Sequence, residues 1–192
     1  MKATPRVKPG AFLLLSGLMT GITIRNAAPG DIAALTRIYA GAVAHGTATF
    51  EIEPPDEAEM AARMAALTAD GYPYLVAGLA GKVAGYAYAG PYRARPAYKW
   101  TVENSIYIAP EFHRRGIGAL LLARLVEEAQ ARGFRQMIAV IGDSAQIASI
   151  AVHEKAGFTH IGALRAVGFK HGKWLDTVLM QRALGNGDTS PP

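Results

Sequence analysis

The 192-residue chain has no cysteine. Disulfides and thiolate-bound zinc are excluded, and the five histidines are not spaced as a metal-binding set. A surplus of one charge is small: 20 Lys plus Arg stand against 15 Asp plus Glu, a net +5 with no long basic tract. Neither a nucleic-acid motif nor a clustered aromatic platform accompanies it, so a nucleic-acid partner is not expected. Long apolar runs are missing too. The run from Ala11 to Met19 falls far short of the roughly 20 residues that span a bilayer. Its basic approach imitates an export signal, but Pro9 and Gly10 precede it and no A-x-A-like cleavage site follows. Residues 1–20 are expected to be an extension, disordered or ahead of a native start near Met19. The protein is expected in the cytoplasm, without a membrane partner.

What remains is ordinary globular material, 51% hydrophobic, enough for one core. Strand and helix signals alternate without linker or repeat, which predicts one domain over 21–184, an α/β fold with a mixed sheet flanked by helices. ITIRNA reads as a strand. APGDIAALTRIYAGAV reads as a helix with Ile32, Leu35, Ile38 and Tyr39 on one face, and PPDEAEMAARMAALTADG as a second helix stopped by Gly71. YPYLVAGLAGKVAGYAYAG is a hairpin turning at Ala80 to Lys82, followed by a strand from Trp100 to Ile108. A helix ending at Gly133, the strand FRQMIAVIG, the helix SAQIASIAVHEKAGF and a hairpin in ALRAVGFKHGKWLDTVLMQRAL complete the domain. GNGDTSPP, residues 185–192, reads as a disordered tail.

The segment HRRGIGALLL, His113 to Leu122, carries the first functional signal. A helix start leaves backbone N–H groups unpaired at the positive end of the peptide dipoles, which stabilises an anion there. Gly116 and Gly118 leave the backbone open to close approach, while Arg114 and Arg115 suit phosphate oxygens. The segment is neither a P-loop nor a dinucleotide turn. A plain helix start that happens to be basic has the same letters.

HRRGIGALLL after a strand and SIAVHEKAGF in the next helix resemble the acyl-CoA-binding motifs of the GNAT superfamily of N-acetyltransferases, in which the turn binds the CoA pyrophosphate. GPYRARPAYKWTVENSIYIAPEFHRRGIG and LRAVGFKHGKWLD are similar to the phosphinothricin and methionine sulfone/sulfoximine N-acetyltransferases within it. The likeness runs from about Ile22 to Leu184. It implies the GNAT fold: a mostly antiparallel central sheet flanked by helices, with two splayed central strands holding acetyl-CoA as cosubstrate. The implied chemistry is transfer of acetyl to the α-amine of a small amino-acid-like substrate, without a metal. Such enzymes are commonly homodimers.

By itself, Glu103 reads as an exposed strand carboxylate; its match to the TVE segment implies the general base that must deprotonate the attacking amine. The resemblance assigns His153 a second catalytic position, as acid or helper base, with a structural histidine as the alternative. It places acetyl-CoA against Ile106, Tyr107 and Ile108, against Arg114, Arg115, Gly116, Ile117, Gly118 and Ala119, and against Gln146 and Ser149. Gln146 stands where the family usually has asparagine, which changes the reach of that contact. Arg93, Arg95, Tyr98 and Lys170 fall in segments resembling the substrate loops, and Phe50 and Trp174 are candidate apolar walls. Two alternatives share the CoA motifs: a GNAT enzyme acting on a protein N-terminus or polyamine, and a non-catalytic acyl-CoA-binding module.

Overall fold

The structure is a computed structural model that describes residues 21–192. The candidate export segment and the extension lie outside the described residues. Seven strands form one sheet: β1 (Thr23–Asn26), β2 (Tyr74–Leu79), β3 (Lys82–Pro91), β4 (Thr101–Ile108), β5 (Gln136–Gly142), β6 (Thr159–Lys170) and β7 (Lys173–Ala183). Their spatial order is β1-β2-β3-β4-β5-β7-β6. Every pairing is antiparallel except β4–β5. The helices are α1 (Ile32–His45), α2 (Glu57–Ala69), α3 (Ile117–Ala131) and α4 (Ile147–Lys155). This is the mixed sheet with flanking helices that the alternating signals predict.

Local chemistry sets the element ends. The Asp56 side chain accepts from the Glu59 N–H at 2.8 Å and so caps α2. Asp31, ahead of α1, accepts from both terminal nitrogens of Arg25 at 2.7 Å and from the Ala28 N–H at 2.8 Å. Those bonds hold its carboxyl below the ordinary value, the Arg25 hydrogen bond contributing most. Both hairpins turn in two residues with positive φ, Ala80–Gly81 and His171–Gly172, as the right-handed strand twist prefers.

The apolar face of α1, Ile32, Leu35, Ile38 and Tyr39, is buried as its spacing predicts, and so is the Leu121, Leu122, Leu125, Val126 and Ala129 face of α3. Each such large aliphatic side chain contributes about 1.5–3 kcal/mol by leaving water. β6 begins at Thr159, earlier than the alternation suggests. Its register shifts at His160/Gly162 and again at Leu164/Gly168, and these bulges erase the period-2 pattern. Past β7, residues 185–188 form turns, and Arg135 donates to the Ser190 carbonyl at 2.8 Å.

Candidate active site

β4 and β5 share a register only from Thr101↔Gln136 to Asn104↔Ala139. Both strands continue, to Ile108 and Gly142, without pairing further, so a fork opens between them. On its other side β4 stays bound to β3 as far as Gly85↔Ile108. Ile106 and Ile108 therefore turn backbone groups to the fork that β5 does not take, while those of Tyr107, between them, face Tyr86 of β3; the result is an edge able to pair with an extended ligand. A pocket of about 70 Å³ lies in the fork, lined by Ser105, Tyr107, Gly142, Gln146 and His153 among others.

β4 leads through a single turn at Pro110–Phe112 into the basic segment. Arg114 and Gly116 have positive φ, 59° and 77°, and Gly116 is the N-cap of α3. The first bond closing the helix runs from the Leu120 N–H to the Gly116 carbonyl at 3.2 Å. The N–H groups of Ile117, Gly118 and Ala119 precede it and have no acceptor within the helix. A Cβ on Gly116 would meet nothing within 4 Å, and one on Gly118 only Ile108 Cγ1 at 3.9 Å. The turn thus offers donors facing empty space, room that a phosphate would fill. Arg114 and Arg115 are exposed beside it, Arg115 standing 5.6 Å over the Phe112 ring. His113 turns away, its Nε2 lying 3.0 Å from the Ile108 carbonyl.

Glu103 projects from β4 opposite Gly90, on the same face as Ser105 and Tyr107. Burial raises its carboxyl above the ordinary value, and the charge of Arg93 partly opposes that rise. A carboxylate with a raised pKa is a better proton acceptor near neutral pH.

Asn104 and His153 point to the opposite face and are both buried. The Asn104 amide nitrogen donates to the Ile138 carbonyl at 3.1 Å, while its oxygen meets His153 Nε2 at 3.0 Å. His153 Nδ1 lies 2.8 Å from the Ser149 carbonyl. The ring thereby ties α4 to the crotch of the fork. Both of its nitrogens face oxygen acceptors, which favours a doubly protonated ring, whereas burial, the larger influence, lowers its pKa. Burial prevails, since no carboxylate among its hydrogen-bond partners compensates a charge there.

The segment between α1 and α2 closes over the fork. Thr47 donates to Asp143 at 2.8 Å and accepts from the Gln146 amide at 3.0 Å. Gln146, the unusual residue at its position, thus commits its nitrogen to this segment. Lys170, which the resemblance puts among the substrate-loop residues, is buried and donates to the Thr49 carbonyl at 2.8 Å, tethering the same segment. Phe50 packs on Gly168, where a Cβ would stand 2.3 Å from its ring. Arg93, Arg95 and Tyr98 lie on the exposed β3–β4 loop, which leaves β3 after Pro91, the residue next to Gly90; Tyr98 stands edge-on to Tyr92 at 5.7 Å. Trp174 is 67% exposed at the β6–β7 hairpin, against Phe169 at 5.3 Å. Thr47, Asn104 and Asp143 escaped the sequence reading, because their partners lie 34 to 99 residues away.

Residues 35–158 match the Acetyltransferase (GNAT) family. The chain belongs to that family. Among its relatives, a phosphinothricin N-acetyltransferase from Alcaligenes faecalis is 49% identical over 170 residues, covering 88% of this chain and 86% of that protein. An L-methionine sulfoximine/L-methionine sulfone acetyltransferase from Salmonella typhimurium is 40% identical, covering 85% and 95%. The crystal structure of a GNAT phosphinothricin acetyltransferase from Sinorhizobium meliloti in complex with AcCoA matches with a TM-score of 0.87 at 50% identity, covering 89% of this chain and 92% of that one. As a GNAT acetyltransferase this chain uses acetyl-CoA, and its fork and basic turn fit that molecule's extended arm and pyrophosphate.

Proposed function

We propose that this N-acetyltransferase acetylates the α-amine of a small amino acid of the phosphinothricin or methionine sulfone/sulfoximine type, with Glu103 as general base. The observation that carries the chemistry is the half-buried carboxyl of Glu103, three residues before Ile106 on the fork's open edge and raised above its ordinary value by that burial. Ile117, Gly118 and Ala119 N–H groups, with Arg114 and Arg115, hold the pyrophosphate; Ile106 and Ile108 pair with the pantetheine arm, and Tyr107 between them keeps β4 bound to β3. Acetyl-CoA supplies the thioester: the amine nitrogen bonds to its carbonyl carbon, the C–S bond breaks, and CoA departs as a thiolate that is protonated to the free thiol. Glu103 takes the amine proton, directly or through a water, and a β4 N–H beside Tyr107 receives the developing oxyanion. His153 and Asn104 hold the fork open, and Gln146 and Ser149 line the same wall. Arg93, Arg95 and Tyr98 receive the substrate carboxylate, with Phe50 as a wall. Lys170 serves by fixing the segment that carries Phe50, and Trp174 lies outside this set.

Acetyl-dependent thiol release should be measured across methionine sulfone, methionine sulfoximine, phosphinothricin, polyamines and N-terminal peptides. Turnover of the first three is the expected result; turnover confined to the last two defeats the amino-acid assignment. We place the enzyme in the cytoplasm. No helix among the described residues is long and apolar enough to cross a membrane.

We further infer a homodimer. β6 is an edge strand, and Ile161, Leu164, Val167, Phe169 and Trp174 around it are each half or more exposed, an apolar surface of the kind that marks an interface. Sedimentation should give about twice the 20.3 kDa chain mass, and Leu164→Asp with Val167→Asp should give the monomer. A monomeric unsubstituted protein would refute this.

A further inference from the structure

The face of the sheet that carries Glu103 holds a second, larger cavity. It measures about 290 Å³ and lies beneath α1 and α2, lined by Tyr39, Tyr74, Tyr86 and Tyr88 with Met60 and Arg63. Tyr74 and Tyr86 are 3% and 1% exposed. Among the described residues neither hydroxyl has a hydrogen-bond partner, and neither is sealed away by protein. The rings are buried, but their two hydroxyls therefore open on the cavity, where water or a ligand in its place can reach them. Donors without a protein partner take one from whatever fills the space beside them.

The cavity borders the reaction site. Tyr107 stands edge-on to Tyr39 at 4.9 Å and against Tyr86 at 5.2 Å, and it also lines the fork pocket. Tyr88 lies opposite Ser105 in register, and Glu103 is the next residue on that face, about 7 Å along the strand. An amino acid with its amine at Glu103 has its side chain within reach of Tyr88 and, beyond it, the unpartnered hydroxyls.

Charge narrows the occupant. Arg63, the cation of this lining, is bound to Glu51 at 2.7 Å and to Glu59 at 2.5 Å. One positive charge against two negative ones leaves no free cation for an anionic group. The tyrosine rings suit methylenes, and burial keeps both free hydroxyls protonated as donors.

We propose that this tyrosine-lined cavity receives the acceptor's side chain and selects an uncharged chain ending in hydrogen-bond acceptors, a sulfone or sulfoximine, over an anionic phosphinate. It rests on the amino-acid assignment made above. The test compares kcat/KM for methionine sulfone, methionine sulfoximine and phosphinothricin in the unsubstituted enzyme and in Tyr74→Phe, Tyr86→Phe and the double variant. The substitutions keep the rings, so the fold is retained; melting temperature and KM for acetyl-CoA verify this. The unsubstituted enzyme should favour the sulfone or sulfoximine. The double variant should lose about tenfold or more for those two, mainly through KM, so that their ratio to phosphinothricin narrows. A preference for phosphinothricin, or an unchanged ratio in the double variant, overturns the inference while amino-acid acetylation stands. Absence of turnover with all three overturns both.

Discussion

Glu103→Gln is expected to lower kcat by about a hundredfold or more, the range general bases contribute, with KM for acetyl-CoA nearly unchanged. The substitution keeps size and removes only the proton-accepting charge. Thiol-release kinetics against pH supply the decisive readout. A base works deprotonated, and burial raises the Glu103 pKa above its ordinary 4.5. The unsubstituted rate should therefore fall as pH drops through a value above the usual carboxylate range, and should plateau above it. Glutamine removes that limb. The amine's own ionisation sets a second limb at higher pH in both enzymes. Near-normal turnover, or an acid limb that survives in the variant, would take Glu103 out of the role.

Gly142→Ala should be nearly as damaging, for a geometric reason. A Cβ there would stand 2.6 Å from the Thr47 carbonyl oxygen and 2.9 Å from the Phe50 ring. The first neighbour is backbone and cannot swing aside. The segment between α1 and α2 must lift, which strains the Thr47–Asp143 and Gln146–Thr47 bonds and moves Phe50 and Glu51 with them. We expect kcat/KM for the amine to fall about a hundredfold, the order expected when a supporting segment shifts by an ångström. Melting temperature should fall by several degrees, as a loss of one or two kcal/mol implies. Unchanged kinetics would mean that the segment does not shape the acceptor site.

The fold was legible wherever one element carried its own signal. The α1 and α3 faces, both hairpin turns and the basic glycine turn follow from letters a few places apart. The resemblance supplied the reason to choose Glu103, which local spacing reads as an ordinary strand carboxylate. Register was not legible. Tyr74, Tyr86 and Tyr88 each suit a strand by propensity alone, and only the β2–β3–β4 pairing with α1 and α2 above it turns them into one cavity. The burial of Lys170 was not legible either, because a lysine seldom lies buried and its partner Thr49 is 121 residues away. The β6 bulges hid that strand's beginning for a different reason, since a bulge breaks the alternation on which strand recognition depends.

The short β4–β5 seam has a further consequence. In the sheet it joins β1–β4 to β5–β7 through four registered positions, whereas the ladders on either side have seven each. With its arm placed along Ile106 to Ile108 as proposed, acetyl-CoA would lengthen that seam, and the cosubstrate would double as a mortar between the two halves. A ligand that binds only the folded form adds about 2.7 kcal/mol when present at a hundred times its dissociation constant. The durability of this enzyme is thus coupled to the metabolic supply of the molecule it consumes: it is hardiest when there is acetyl to transfer, and weakest at its own centre line when there is none.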